Sequence, residues 1–162
     1  MKMVIQKLHH AAYRCRDSEQ TRQFYEDFLG LPLVDAIYLE TTKTGRPIRL
    51  LHTFYRMDDG SHVAFFEVPD VPFEFKAQHD FDLHIALEVA PETLETMRLK
   101  GLASQTETRG VADHGFIRSV YFRDPNGYVV ELCAKQPFDP SKSPTNRQAR
   151  EVLERWTAEK PS

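Results

Sequence analysis

The stretch Leu83-His84-Ile85-Ala86-Leu87-Glu88-Val89 decides the fold of this chain. Apolar residues alternate along it with the period of a half-buried β-strand, and a histidine stands near its start. An earlier stretch, His10-Ala11-Ala12-Tyr13-Arg14-Cys15, follows the same pattern, with an alanine two residues after the histidine. This recurrence predicts that one supersecondary unit is used twice.

The same order of elements follows both histidine strands. A helix-like segment that ends at a glycine comes next in each half. Each half then closes with a β-rich run that carries one glutamate, Phe65-Phe66-Glu67-Val68 in the first and Val129-Val130-Glu131-Leu132 in the second. We therefore predict an α+β fold of two βαβββ modules, residues 5–68 and 81–135.

Local signals predict where elements begin and turn. Asp17 is a helix N-cap residue, and Gln20 stands three residues on, as in a capping box. The turns Asp58-Asp59-Gly60 and Asp124-Pro125-Asn126-Gly127 each precede the last strand of a half. We therefore expect a hairpin to end both modules.

The C-terminal tail, residues 137–162, lies outside the repeat. Ser143-Pro144 predicts a helix start, and Val152, Leu153 and Trp156 fall on one side of a charged helix. We expect this apolar side to cover either a module or a partner subunit.

Composition limits the classes of function. The chain has 162 residues, 41% of them hydrophobic, which suits one compact domain (residues 1–136) or two small modules that share a core. A net charge of −3 argues against a nucleic-acid partner, and no apolar run is long enough to span a membrane. The N-terminus lacks the apolar core of a signal peptide. Cys15 and Cys133 have no metal-site spacing, so we expect reduced thiols and a cytoplasmic protein.

The repeated histidine and glutamate together suggest a metal. Repetition of a module puts equivalent positions near a pseudo-twofold axis, so His10 would face His84, and Glu67 and Glu131 would point into the same cavity. Imidazole with carboxylate suits a divalent ion such as Fe(II), Mn, Ni, Co or Zn. Two histidines with one carboxylate leave open positions, as in non-haem Fe(II) oxygenases, and a second carboxylate gives a four-ligand set.

A plainer interpretation competes with this one. A histidine on a strand is usually packed or hydrogen-bonded, and a glutamate on a strand is often solvated. Recurrence at matching places in two halves favours the metal. A charged Glu67 or Glu131 within such apolar runs also requires a partner.

Four segments carry a resemblance to a known family. They are His-Ala-Ala-Tyr-Arg-Cys-Arg-Asp from His10, Phe-Tyr-Glu-Asp-Phe-Leu-Gly-Leu from Phe24, His-Ile-Ala-Leu-Glu-Val from His84, and Tyr-Phe-Arg-Asp-Pro-Asn-Gly-Tyr-Val-Val-Glu-Leu from Tyr121. Over residues 5–135 the chain resembles the vicinal oxygen chelate superfamily, which includes glyoxalase I, fosfomycin-resistance proteins, methylmalonyl-CoA epimerase and extradiol ring-cleavage dioxygenases. Together the segments are specific for the superfamily and weak for any one member.

The resemblance implies paired βαβββ modules that form an incomplete barrel around a metal site. Carried over position by position, it implies the ligands His10, Glu67, His84 and Glu131. His10 is preferred to His9 because it matches His84 and because His9 would point to the opposite face of the strand.

The resemblance leaves the reaction open. Glyoxalase-like lyases and isomerases keep a glutamate at the place of Glu67, and there Glu67 or Glu131 would be the catalytic base; this reaction class is slightly favoured. Fe(II) extradiol dioxygenases, the alternative, would use His10, His84 and Glu131. Their tyrosine ten residues before the last glutamate is matched by Tyr121, although fosfomycin-resistance proteins can carry an aromatic hydroxyl there too.

The chain departs from the dioxygenases at one catalytic position, and other roles stay open. Dioxygenases carry a catalytic histidine where the alignment places Ser61, and the neighbouring His62 is expected to face away from Glu67. His114 is a candidate acid–base residue, although a solvated loop histidine is the commoner case. A metal-free small-molecule binder of the bleomycin-resistance type is a second alternative. The resemblance also implies a homodimer.

Overall fold

A computed structural model of the chain describes residues 4–137 and 146–160. Within these residues the elements follow the predicted order, and the π-helix Gln23–Phe28 directly continues α1. The elements are β1 (His10–Arg14), α1 (Ser18–Arg22), β2 (Leu33–Thr41), β3 (Pro47–Arg56), β4 (His62–Glu67), β5 (His84–Glu88), α2 (Pro91–Ala103), β6 (Thr108–Asp113), β7 (Ile117–Arg123), β8 (Val129–Lys135) and α3 (Asn146–Glu159).

The strands form two four-stranded sheets of the same design. One has the order β1-β4-β3-β2 and the other β5-β8-β7-β6, so each half places its first strand beside its last. In the first sheet β1 runs parallel to β4, while β3 is antiparallel to both its neighbours. The predicted α+β fold of two βαβββ modules is confirmed. The predicted C-terminal helix is present as α3, although its expected start at Ser143-Pro144 lies outside the described residues.

The chain divides into two compact units. The first comprises the residues up to His84 together with Arg123–Val129, and the second comprises Ile85–Phe122 and the residues from Val130 onward. Every helix in the described part of the chain is too short or too polar to cross a bilayer. Cys15 and Cys133 are both free thiols, and the predicted cytoplasmic location stays a prediction.

Asp17 starts the first helix as predicted. Its Oδ1 accepts a hydrogen bond of 2.7 Å from the Gln20 backbone N–H, which satisfies one of the donors that a helix start leaves unpaired. The π-helical continuation buries Phe24, Tyr25 and Phe28, and these rings form the core of the first unit with the inner face of its sheet.

Matching backbone hydrogen bonds define the repeat at single-residue precision. In the first half the Met57 N–H donates to Ser61 O over 2.9 Å, and in the second the Asp124 N–H donates to Tyr128 O over 2.9 Å. The bonds Gly60 N–H to Met57 O and Gly127 N–H to Asp124 O form a second equivalent pair. Equivalent residues around the last hairpin of each half are therefore 67 positions apart.

The turn before β8 is buried in the first unit. Asn126 is only 1% exposed, and its Oδ1 accepts a 2.9 Å hydrogen bond from the Arg16 backbone N–H. The Asp124 carboxylate accepts from the Tyr25 hydroxyl at 3.1 Å and from the Tyr128 backbone N–H at 2.8 Å. Burial raises the pKa of Asp124, and these donors act against that rise. A segment whose sequence is typical of an ordinary tight turn is thus part of the core of the first unit.

We expect Gly127→Ala to destabilise the chain more than Gly60→Ala, its counterpart in the repeat. Both glycines have positive φ, +101° and +79°, so both variants incur backbone strain of about 1 kcal/mol or more. Of the two, only Gly127 would place the new Cβ on a backbone atom, the Lys76 carbonyl oxygen. At Gly60 the new Cβ meets Lys7 Nζ, the end of a long side chain, at 3.4 Å. Gly127→Ala should therefore cost roughly 3 kcal/mol or more in urea unfolding followed by circular dichroism. Equal losses for the two variants would contradict the buried position of this turn.

Candidate functional site

The register of β1 against β4 decides which side chains share a face with His10. His10 lies opposite His62 and Ala12 lies opposite Ala64, and residues paired across neighbouring strands project from the same face. On β3 the same rule adds Phe54, which pairs with Ala64.

We call this surface of the first sheet the histidine face, and it consists of His10, His52, Phe54, His62 and Phe66. Its rings touch one another: the ring centroids of His10 and Phe54 are 5.7 Å apart, and those of His10 and His52 are 6.2 Å apart. His52 stacks on Phe66 at 3.7 Å with a 10° angle between the rings.

Glu67 does not belong to the histidine face. It lies five residues beyond His62 on β4, so it projects from the opposite face and is about 16 Å further along the strand. There its Oε2 accepts a 2.7 Å hydrogen bond from the Ser18 backbone N–H at the start of α1. The predicted convergence of His10 and Glu67 is therefore absent from the first unit.

The match between Glu67 and Glu131 was also wrong. The spacing of 67 positions makes Ala64, not Glu67, the counterpart of Glu131. Glu67 stands in an apolar run like that of Glu131, but three residues later in the repeat. Counting from the turn glycines would have found the error, because Glu131 stands four residues after Gly127 and Ala64 four residues after Gly60.

His84, at the start of β5, has a defined tautomer. Its Nδ1 lies 2.8 Å from the Asp80 carbonyl oxygen. A carbonyl only accepts hydrogen bonds, so Nδ1 carries the proton and the neutral ring has none on Nε2. Histidines that bind metal through Nε2 are usually oriented by this kind of bond.

Glu131 is a buried carboxylate in the second unit. It is only 6% exposed, and its Oε1 accepts hydrogen bonds from Ser119 Oγ at 2.5 Å and from the Tyr121 hydroxyl at 3.3 Å. The three side chains come from adjacent strands, β7 and β8. Both donors are hydroxyl groups, and their hydrogen bonds offset part of the free energy that burial of the carboxylate costs.

His114 joins this group through Tyr121. Its Nε2 lies 2.9 Å from the Tyr121 oxygen. Because Tyr121 gives its own proton to Glu131, its oxygen accepts the proton of His114 Nε2–H. The Arg109 guanidinium stands 5.1 Å from the centre of the Tyr121 ring. The structure thus brings together three predicted site residues, His114, Tyr121 and Glu131, in one hydrogen-bonded chain.

The described residues do not form a complete metal centre. Among residues 4–137 and 146–160, no group of three or more His, Cys, Asp or Glu side chains is arranged to hold an ion. The four predicted ligands differ in their surroundings. His84 has the tautomer that binding through Nε2 requires, and Glu131 is a buried carboxylate. His10 Nδ1 lies 2.8 Å from His9 Nδ1, and Glu67 accepts from the Ser18 N–H.

Sequence comparison identifies the family pattern. The model of the Glyoxalase/Bleomycin resistance protein/Dioxygenase superfamily matches residues 7–132. No curated protein is significantly similar in sequence.

Solved structures share the fold at low sequence identity. A glyoxalase/dioxygenase from Nostoc punctiforme is 20% identical with a TM-score of 0.62, over 85% of this chain and 99% of that one. The fosfomycin resistance protein FosX from Listeria monocytogenes is 18% identical with a TM-score of 0.60, over 82% and 96%. TnmS3, an antibiotic binding protein from Streptomyces sp. CB03234, is 18% identical with a TM-score of 0.58, over 83% and 100%.

We expect Ser119→Ala to destabilise the protein because it removes the closest donor to a buried carboxylate. Ser119 is fully buried, and a hydrogen bond to a charged group contributes about 1.5–3 kcal/mol, so urea unfolding of metal-free protein at pH 7 should show a loss near 2 kcal/mol. The control is Ser61→Ala. The Ser61 hydroxyl donates to the solvated carboxylate of Asp59 at 2.6 Å, so its removal should lower the free energy of unfolding less. A loss at Ser119 no greater than at Ser61 would contradict this role.

Proposed function

Because the chain belongs to the glyoxalase/bleomycin resistance protein/dioxygenase superfamily, we propose that it is an enzyme that uses a divalent metal ion to hold two neighbouring oxygens of a small-molecule substrate. The observation that carries the proposal is Glu131, a buried carboxylate that receives two hydroxyl hydrogen bonds. A buried charge of this kind is stabilised by a cation.

We propose His10, His84 and Glu131 as the metal ligands. Two imidazoles and one carboxylate suit Fe(II), Mn, Ni, Co or Zn. The Nδ1–H bond of His84 to Asp80 O supports its place in the set, since it presents the unprotonated Nε2. Glu67 is left out, because it projects from the face of the first sheet opposite to His10.

The bound ion would act as a Lewis acid on the substrate oxygens. The chain's own contribution is proton transfer through Tyr121. The Tyr121 hydroxyl would give its proton to an oxygen of the substrate, and the Tyr121 oxygen would take a replacement proton from Nε2 of doubly protonated His114. His114 is then left neutral, with its remaining proton on Nδ1. His114 and Tyr121 thus act as one acid–base pair, with Ser119 keeping Glu131 oriented.

The reaction class depends on how many carboxylates hold the metal. The slight preference for a glyoxalase-like lyase or isomerase rested on Glu67, and it loses that support. A set of two histidines and one carboxylate is the facial triad of non-haem Fe(II) oxygenases. Extradiol ring cleavage by a dioxygenase therefore becomes the first reaction to assay. Oxygen uptake with catechols tests it, and proton exchange next to a carbonyl tests the isomerase.

Metal content distinguishes these ligand assignments. We expect anaerobically purified protein to carry about one divalent ion per chain, and His84→Ala and Glu131→Ala to lose it. Glu67→Gln should keep the ion, because Glu67 binds the Ser18 N–H instead. Elemental analysis compares the wild type with these three variants. His62→Ala, on the histidine face, is the control and should keep the ion. Retention of the ion by Glu131→Ala, or its loss from Glu67→Gln, would refute the ligand set.

A second candidate is a metal-free binder of small molecules. The aromatic cluster made by His52, Phe54 and Phe66 supports it, since aromatic side chains commonly line small-molecule sites. TnmS3, which shares the fold, is an antibiotic binding protein. Ligand binding that survives removal of all divalent ions, together with a lack of turnover in the metal-loaded protein, would establish the binder.

We also propose that the protein is a homodimer in which α3 contacts the second copy. Val152, Leu153 and Trp156 lie within two turns of this helix and are 53%, 63% and 62% exposed. A second subunit would remove this apolar strip from water. Light scattering should give a dimer mass for the wild type and a monomer mass for Trp156→Glu. A wild-type monomer across micromolar concentrations would refute the dimer.

A further inference from the structure

The first unit contains a cleft of ≈ 340 Å³ that the proposed chemistry does not use. It lies just beyond the C-terminal ends of the parallel strands β1 and β4, whose N-terminal ends carry His10 and His62. Its walls come from β1 and the residues after it, from the end of β4, and from the segment 69–75 that follows β4. The volume is within the range of small-ligand sites.

Two arginines form the polar side of the cleft. Arg14 Nη2 donates to the carbonyl oxygens of Val68 and Val71, at 3.0 and 2.8 Å, while its buried Nε–H has no acceptor. The exposed Arg16 guanidinium makes one hydrogen bond within the described residues, a long one of 3.3 Å to Phe75 O. A guanidinium carries five N–H donors, so most of those on Arg16 are open to a ligand.

Neither guanidinium forms an ion pair among the residues that the structure describes. By contrast, Arg22, Arg49 and Arg98 each contact a carboxylate at 2.6–2.9 Å. Among the described residues that line the cleft, Glu67 is the one carboxylate, and its Oε2 accepts a hydrogen bond from the Ser18 backbone N–H. Two cations against one anion leave the cleft with a charge of +1, which matches a monoanion.

The rest of the wall is apolar. Phe73 stands 5.2 Å from the Arg14 guanidinium and Phe75 stands 4.6 Å from that of Arg16, so each ring backs one cation. Phe73 and Val71 remain 45% and 42% exposed. Cys15 also lines the cleft, and burial raises the pKa of its thiol to about 11, so it contributes surface and not a nucleophile.

We propose that this cleft is a second small-molecule site, which binds a monocarboxylate that carries an apolar body. The carboxylate binds the free donors of Arg16 within the positive field of Arg14, and the apolar body rests on Val71, Pro72 and Phe73. Glu67 sets the charge selectivity, because it disfavours a dianion such as phosphate. The site is independent of the metal ligands.

A titration of the full-length chain tests the site with three probes. They are 3-phenylpropanoate, its neutral amide, and inorganic phosphate. In ¹H–¹⁵N spectra the Arg16 Nε–H and the Ser18 amide should shift saturably with the carboxylate and not with the amide or phosphate. Equal shifts with carboxylate and amide would overturn the proposal.

Two neighbouring substitutions should change the affinity in opposite directions. Arg16→Gln should weaken 3-phenylpropanoate binding about tenfold, and Glu67→Gln should strengthen it a few-fold by removing a like charge. Arg46→Gln in the β2–β3 turn changes net charge in the same way as Arg16→Gln and should bind as wild type does. Unchanged binding in Arg16→Gln, or an equal loss in Arg46→Gln, would refute the site.

The same titration on His84→Ala in the presence of a chelator separates this proposal from the metal-dependent function. Binding of 3-phenylpropanoate should be unaffected there. If the variant lost binding while its spectrum remained that of a folded protein, the carboxylate would bind at the metal site, and the proposal of a second site would be overturned.

Discussion

The parallel pairing of β1 with β4 is the constraint on which the functional interpretation depends. It aligns His10 with His62, and because side chains alternate along a strand it determines every other residue on that face. A shift by a single residue would put Glu67 on the same face of the sheet as His10. The observed register instead makes a surface of imidazole and phenyl rings, and it sends Glu67 to the helix side, where the Ser18 N–H binds it. The ligand chemistry of the first unit is therefore set by backbone pairing.

The two modules use one backbone for different chemistry. At equivalent positions the first sheet has His52, Phe54 and Ala64 where the second has Ser119, Tyr121 and Glu131. The first set stacks rings on one another, whereas the second surrounds a buried carboxylate with hydroxyl donors. The two halves thus share a hydrogen-bonded backbone frame and differ in the side chains that it carries. A shared backbone frame therefore does not imply that the same residue type stands at equivalent positions, as Ala64 and Glu131 show.

Polar groups at the end of β1 hold together parts of the first unit that are far apart in sequence. The Arg16 backbone N–H binds Asn126, the Tyr128 hydroxyl binds Arg14 O at 2.8 Å, and the Arg14 side chain binds two carbonyls of the segment after β4. Unmet backbone donors and acceptors in a core are costly, so these bonds specify one arrangement of the chain. In the cleft, the side chains of Arg14 and Arg16 keep N–H donors that have no acceptor among the residues that the structure describes.

The sequence by itself determined the module repeat, the order of helices and strands along the chain, the Asp17 cap and the family. These depend on local patterns of polarity and turn residues. It also singled out Tyr121 and Glu131, which lie on the adjacent strands β7 and β8, and His114, which lies between β6 and β7. Only the tertiary structure decided the fate of Glu67, the burial of the Asp124–Tyr128 turn and the existence of the cleft. Each of these depends on pairing register or on contacts between residues about 50 to 110 positions apart in sequence. Periodicity reveals that a strand has two faces, but packing alone decides which face the neighbouring elements cover.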